Sequence, residues 1–102
     1  MNYEKNRPLL YSFFAPYFHQ DWDLATDTPS GVVDLFKADA PQECRALAEA
    51  ILDFCNEFTS DLELENKLSR DLGCEYVPSL AGESASSWLR QIATQLIDQE
   101  QV

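Results

Sequence analysis

Tyr17-Phe18-His19-Gln20-Asp21-Trp22, at residues 17–22, is the stretch around which the rest of this chain is organised. It places aromatic side chains, an acid and the only histidine next to one another. Apolar residues at helical spacing precede it, so we predict a first helix over residues 8–18, with a polar loop around Trp22. Pro16 should kink or end that helix near Ala15. The aromatic side chains are expected to anchor the loop to the core, although exposed aromatics would instead form a contact site.

Outward from this stretch, capping signals mark four more helices. Thr28 before Pro29 is a hydroxyl cap followed by proline at the first helical position, and Ser60 and Ser84 are further caps. Gly73 stands where a left-handed residue ends a helix. These signals and the apolar periodicity predict helices over residues 29–38, 41–57, 61–72 and 84–99, with an extended segment at 74–78. No segment alternates as a β-strand does, so we predict an all-α fold: a single small domain, residues 1–102, of about five packed helices.

The helix predicted over residues 41–57 has the clearest two-sided pattern. Asp39 or Ala40 is expected to cap it ahead of Pro41. The apolar side consists of Cys44, Leu47, Ala48, Ile51, Phe54, Cys55 and Phe58, and the opposite side of Glu43, Glu49, Asp53 and Glu57. We therefore expect the first side to be buried and the second to face solvent or a partner.

Composition limits the class of protein. With 102 residues, 45% of them hydrophobic, the chain is long enough for one packed core. No apolar run approaches the roughly 18 residues of a membrane span, and the first residues lack the apolar centre of a secretory signal, so we expect a cytoplasmic protein without membrane contact. Cys44, Cys55 and Cys74 are an odd number at irregular spacing, which predicts buried free thiols. These thiols and His19 do not match a zinc pattern, and we expect neither metal nor cofactor.

Charge is the strongest compositional signal. Eighteen acids against seven bases give a net charge of −11, the wrong sign for direct nucleic-acid binding. This charge suits a basic protein partner, or simply solubility. The candidate partner-binding residues are acids of helix 41–57, acids just beyond it and two acids beside Trp22: Asp21, Asp23, Glu49, Asp53, Glu57, Asp61 and Glu63. A calcium loop beginning at Asp21 is excluded because Ala25, Thr26 and Val32 occupy the positions that need an oxygen ligand, a glycine and a glutamate.

Familiar catalytic motifs are absent from the sequence. Because the chain has one histidine, a Ser-His-Asp or Cys-His arrangement would have to use His19, with a nucleophile supplied by the fold. A small helical enzyme or an adaptor protein centred on the His19 aromatic motif is therefore the alternative function.

The string from Tyr17 to Asp23 resembles the signature of a family of immunity proteins from bacterial contact-dependent growth inhibition (CDI) systems. The spacing to Thr28-Pro29, the segment Leu72-Gly73-Cys74-Glu75-Tyr76 and the pair Trp88-Leu89 extend the resemblance over nearly the whole chain. It implies a small helical protein that binds the C-terminal toxin domain of the cognate CDI protein, often a nuclease, and neutralises it by covering the active site. The shared residues are expected to serve the fold, so none is carried over as a toxin contact. A basic nuclease would suit the acids named above.

Overall fold

A computed structural model describes residues 2–97 of the chain. Within this range the protein has six α-helices and no strand, which confirms the all-α prediction. The helices are α1 (Asn2–Tyr17), α2 (Trp22–Ala25), α3 (Pro29–Asp39), α4 (Cys44–Glu57), α5 (Asp61–Arg70) and α6 (Ala85–Ile97). Two 3₁₀ turns, Pro41–Glu43 and Pro78–Ala81, precede α4 and α6.

The first helix is longer than predicted. It begins at Asn2 instead of residue 8 and continues through Pro8 and Pro16 to Tyr17, so Pro16 does not end the helix near Ala15. Tyr3 explains the early start: its side chain is 4% exposed, and its ring stacks on Phe54 with 5.4 Å between centroids. Tertiary packing of this kind outweighs the weak helix propensity of a segment that contains proline.

The segment after the aromatic stretch is only partly a loop. Trp22–Ala25 forms one short helix, α2, in place of the predicted loop around Trp22. The backbone N–H of Trp22 donates to the His19 carbonyl at 3.0 Å, and the N–H of Leu24 donates to the Asp21 carbonyl at 3.0 Å. These two bonds turn the chain back so that Trp22 can pack beside Phe18.

The predicted caps at Thr28, Ser60 and Ser84 are confirmed. Thr28 Oγ1 accepts from the N–H of Gly31, Ser60 Oγ from that of Glu63 and Ser84 Oγ from that of Ser87, at 3.1, 3.4 and 3.2 Å. Of the two caps predicted ahead of Pro41, Ala40 is the N-cap residue, although it precedes a 3₁₀ turn that leads into α4 and not α4 itself. Ala40 makes no side-chain cap, and Asp39 Oδ2 accepts the Tyr17 hydroxyl at 2.8 Å.

The ends of the last two long helices differ from the prediction in different ways. α5 ends at Arg70, two residues early, because Asp71 and Leu72 already belong to its closing turn. The predicted end of the final helix at residue 99 lies outside the described residues. The segment 74–77 has no regular structure, in line with the extended prediction, and the turn Pro78–Ala81 follows it.

α4 is the central helix, and it packs against α1 on one side and α6 on the other. Both neighbours run antiparallel to it, since the first turn of α1 contacts Glu57 at the C-terminal end of α4 and the first turn of α6 contacts Asp61 just beyond that end. The N–H of Tyr3 donates to Glu57 Oε1 at 2.8 Å at one end of α4, and Arg90 Nη2 donates to Asn56 Oδ1 at 3.3 Å on the α6 side. The predicted apolar side of this helix is buried, with Phe58 half-buried at its end. The predicted free thiols Cys44, Cys55 and Cys74 are also confirmed as unpaired and buried.

Gly73 ends α5 in the left-handed conformation predicted for it, with φ of +70°. A methyl group at this position would lie 3.1 Å from the Ala15 Cβ of α1, so the glycine also allows a close approach between two segments. Gly82 has a similar φ of +80° but no atom within 4 Å of the same position.

Comparing alanine substitutions at the two glycines isolates this contact. Gly82→Ala should lower the free energy of unfolding by about 1–2 kcal/mol, the cost of a left-handed alanine. Gly73→Ala should lower it by about 2–3 kcal/mol, because Ala15 must also move. Urea denaturation of both variants measures the difference. Equal decreases in the free energy of unfolding would show that α1 can move away from residue 73 without a cost.

Candidate functional site

The aromatic side chains of the stretch at residues 17–22 join the core: Phe18 is buried in it, and Tyr17 and Trp22 are partly buried and pack against it. Phe18 is 0% exposed, and its ring lies 5.3 Å from that of Trp88 and 6.1 Å from that of Tyr76, between centroids. Trp22 packs edge-on against Tyr76 at 5.6 Å, and the Phe18 carbonyl accepts the N–H of Glu75 at 2.8 Å. Three of the segments that carry the family resemblance, at residues 17–23, 72–76 and 88–89, therefore meet in one cluster. The expectation that these aromatics anchor the loop is confirmed.

His19 lies outside this cluster. Its side chain is exposed, and its Nδ1 accepts the backbone N–H of Asp21 at 3.0 Å. The thiols of Cys44, Cys55 and Cys74 are buried, and none of them forms a hydrogen bond with His19 in the described part of the chain. Burial raises the pKa of the Cys74 thiol to about 12, so this thiol is held in its neutral, unreactive form. The geometry gives no support to a Cys-His pair.

Three of the predicted contact acids hold the fold together. Glu57 Oε1 accepts the N–H of Tyr3 in the first turn of α1, at 2.8 Å. Asp61 Oδ1 accepts the N–H of Ser86 in the first turn of α6, at 3.1 Å. A carboxylate in this position satisfies an amide that has no partner within its helix and interacts favourably with the helix dipole. Asp53 Oδ2 accepts from Asn6 Nδ2 at 3.5 Å, so it too contacts α1.

The other four predicted acids project into solvent. The carboxylates of Asp21, Asp23, Glu49 and Glu63 are exposed and accept no hydrogen bond from the described residues. The structure does not bring all of them together. Asp21 and Asp23 follow the C-terminal end of α1, whereas Asp53 and Glu57 contact its N-terminal end, and α1 is about 24 Å long. The acids predicted as one set therefore occupy two regions of the surface.

The chain neutralises few of its own acids. Within residues 2–97 the one ion pair joins Lys67 Nζ to Asp71 Oδ2 at 3.9 Å. Lys67 also lies over the rings of Phe58 and Tyr3, 4.7 and 5.2 Å from their centroids, so this cation is held by the protein itself. The surface thus keeps most of the negative charge implied by the composition.

Tyrosine hydroxyls bind three acids that are outside the predicted set of contact acids. Tyr3 donates to Asp71, Tyr17 to Asp39 and Tyr76 to Glu83, at 2.9, 2.8 and 2.9 Å. Burial, and then the hydrogen bond to the carboxylate, raise the pKa of Tyr17 and of Tyr76 to about 12, and that of Tyr3 in the same direction. No spacing in the sequence reveals these pairs, because their partners lie 7 to 68 positions apart.

The Tyr76–Glu83 pair forms one wall of a cleft of about 300 Å³. The cleft lies between the start of α3, the turn that precedes α6, and α6 itself. Val33, Trp88 and Ile92, which are buried, form its floor. Sequence reasoning missed this feature, since its walls come from three separate segments.

Comparison with known proteins agrees with this picture. None of the helices in the described range is both long enough and apolar enough to span a membrane. The sequence matches the model of a family described as CdiI immunity protein over residues 6–96, which is nearly the whole chain. No curated protein and no solved structure matches it. The chain belongs to the CdiI immunity protein family, whose function is to neutralise a cognate toxin.

Proposed function

We propose that this protein acts in the cytoplasm by binding the C-terminal domain of its cognate CDI toxin, a basic nuclease, and blocking the active site in a one-to-one complex. The observation that carries the proposal is the uncompensated negative surface. The net charge is −11, and the described residues contain a single ion pair. A nuclease must present cations to phosphate, so its substrate-binding surface is complementary to such an inhibitor.

Electrostatic complementarity acts mainly on the rate of capture. Opposite charges on two proteins can raise the association rate from about 10⁵–10⁶ to about 10⁸–10⁹ M⁻¹s⁻¹ at low salt. An immunity protein benefits from this rate because a toxin that reaches the cytoplasm damages the cell until it is bound.

We assign the predicted toxin-binding acids to two roles. Asp21, Asp23, Glu49 and Glu63 are exposed and able to pair with cations of the toxin. Asp53, Glu57 and Asp61 already contact α1 or α6, and they add negative potential while holding those helices. These three carboxylates attract a basic toxin at long range through their charge alone. A direct bond from one of them to the toxin would compete with the hydrogen bond that it already makes to α1 or α6.

Inhibition by occlusion requires no turnover. The exposed His19 forms no hydrogen bond with the buried thiols, and the aromatic rings of the motif pack on the core, so they do not form the exposed patch that an adaptor would need to dock a partner helix. A stoichiometric inhibitor is consistent with both observations. It is also the simplest mechanism for a family that neutralises toxins.

Titration of the co-encoded toxin domain with this protein tests the proposal. The nuclease activity should fall in proportion to the protein added and vanish at about one equivalent, because each molecule covers one active site. Light scattering of the mixture should give the mass of a one-to-one complex, and the association rate should fall steeply as salt rises from about 50 to 500 mM.

Three outcomes would contradict separate parts of this proposal. Absence of binding to the co-encoded toxin would refute the partner. Inhibition by a small fraction of an equivalent would indicate turnover. An association rate independent of salt would refute the electrostatic part alone.

A further inference from the structure

The cleft beside Tyr76 and Glu83 has the features of a pocket for one long cationic side chain. Its floor is apolar, formed by Val33, Trp88 and Ile92. Its wall carries the carboxylate of Glu83, the only charged group among the described residues that line it. Lysine and arginine combine an apolar stem with a charged end, so a pocket with an apolar floor and a single acid matches both parts of such a side chain.

Glu83 retains the capacity to bind a cation. Its side chain is half-buried, and Oε1 accepts the Tyr76 hydroxyl at 2.9 Å. The other oxygen, Oε2, accepts no hydrogen bond from the described residues. The tyrosine therefore fixes the position of the carboxylate while one oxygen stays available to a donor on a partner.

Desolvation decides which kind of group can occupy the cleft. A partner that covered Glu83 with apolar atoms would leave a charge buried without compensation, which is strongly unfavourable. A cation removes that penalty, and the aromatic residues Tyr76 and Trp88 in the lining add cation–π attraction. An anionic or purely apolar occupant is disfavoured for the same reason.

The surroundings of the cleft indicate a protein partner. Leu80, next to Ala81 of the lining, is 86% exposed and provides apolar contact area outside the pocket. A second hollow, whose lining includes the charged residues Asp34 and Arg90, shares Ser30, Gln91 and Gln95 with the cleft and extends it along α6. A pocket flanked by exposed apolar and polar surface is typical of an interface hot spot.

We infer that this cleft receives a lysine or arginine side chain of the toxin, with Glu83 as the acceptor and Tyr76 as the residue that positions it. The inference rests on the proposed function, since the cation belongs to the toxin that the protein neutralises. It adds to that proposal a specific anchor that lies outside the predicted set of contact acids.

Binding of an inactive variant of the co-encoded toxin domain to three immunity variants tests the inference. Glu83→Gln keeps an oxygen for the Tyr76 hydroxyl but removes the charge, and should raise Kd about tenfold, mainly through faster dissociation. Glu75→Gln is the matched control: it removes one exposed acid from the same segment, and should change Kd less than about twofold. Gln91→Arg places a cation of the chain itself at an exposed position in the lining and should also raise Kd about tenfold.

The results separate this inference from the proposed function. Weaker binding by Glu83→Gln and Gln91→Arg, with Glu75→Gln close to wild type, would support the pocket. If wild type bound tightly and both cleft variants bound equally well, the pocket would be refuted while the proposed function survived. If wild type failed to bind, both would be refuted. Urea unfolding of each variant identifies any loss that is due to instability, and the exposed Gln91 should leave the fold unchanged.

Discussion

Replacing Phe18 by alanine should lower the free energy of unfolding by about 3–5 kcal/mol, among the largest effects expected for a single substitution in this protein. Phe18 is fully buried and its ring contacts those of Phe13, Trp22, Tyr76 and Trp88. Truncation would leave a cavity where α1, the 72–76 segment and α6 meet. Small domains have a total stability of about 5–15 kcal/mol, so the variant would lose much of it.

His19→Ala provides the control, because it lies in the same motif but is exposed. It loses one hydrogen bond from the Asp21 N–H, and should cost no more than about 1 kcal/mol. Urea denaturation followed by tryptophan fluorescence measures both variants, since Trp22 and Trp88 adjoin Phe18. A cost below about 1 kcal/mol for Phe18→Ala would refute a structural role for the motif. A loss of toxin binding by a fully folded His19→Ala variant would show that the motif is also a contact.

Local chemistry made much of this fold predictable. The apolar side of α4 repeats at helical spacing, and the side chains on it are buried as expected. Thr28, Ser60 and Ser84 cap their helices through their own hydroxyls, and Gly73 adopts the left-handed conformation. Each of these features depends on residues within one or two turns, which is the range that a pattern in the sequence can reveal.

The features that were missed depend on residues far apart in the chain. α1 begins at Asn2 because Tyr3 packs on Phe54, 51 positions later, and no pattern near the N-terminus indicates that contact. The charge of Glu57 suggested a surface role, but the structure places its carboxylate on an amide of α1. A charge pattern identifies which residues are acidic, whereas the fold decides which carboxylates remain available to a partner.

The same distinction explains the cleft. The charge pattern of the sequence placed binding mainly on the acids of α4 and on those just beyond it, because acids that are close in sequence form a recognisable pattern. Glu83 has few acidic neighbours in sequence, yet packing of Tyr76 against Trp88, at 4.7 Å between ring centroids, places it beside an apolar floor. A single carboxylate in such a setting provides more specificity than several solvated ones, since the energy of an ion pair grows as water is removed from it.

The largest effect on toxin binding should come from neutralising the four exposed candidate acids together. In the variant Asp21→Asn, Asp23→Asn, Glu49→Gln and Glu63→Gln, the association rate with the co-encoded toxin should fall on the order of 10- to 100-fold at low salt. The amides keep the size of the side chains, and none of the four carboxylates accepts a hydrogen bond from the described residues, so stability should change little. Stopped-flow mixing at low and high salt measures the rate, and the difference from wild type should shrink at high salt.

A second quadruple variant separates position from net charge. Glu4→Gln, Asp27→Asn, Glu43→Gln and Glu75→Gln alter four other exposed acids, and both variants change the net charge from −11 to −7 by removing four negative charges. If the candidate acids face the toxin, the control should slow association only a few-fold, because it keeps all four carboxylates that pair with cations of the toxin. Equal decreases in the association rate of the two variants would mean that total charge alone attracts the toxin. An unchanged rate in both would refute electrostatic capture, and would leave the Glu83 cleft as the remaining candidate for charge recognition on this surface.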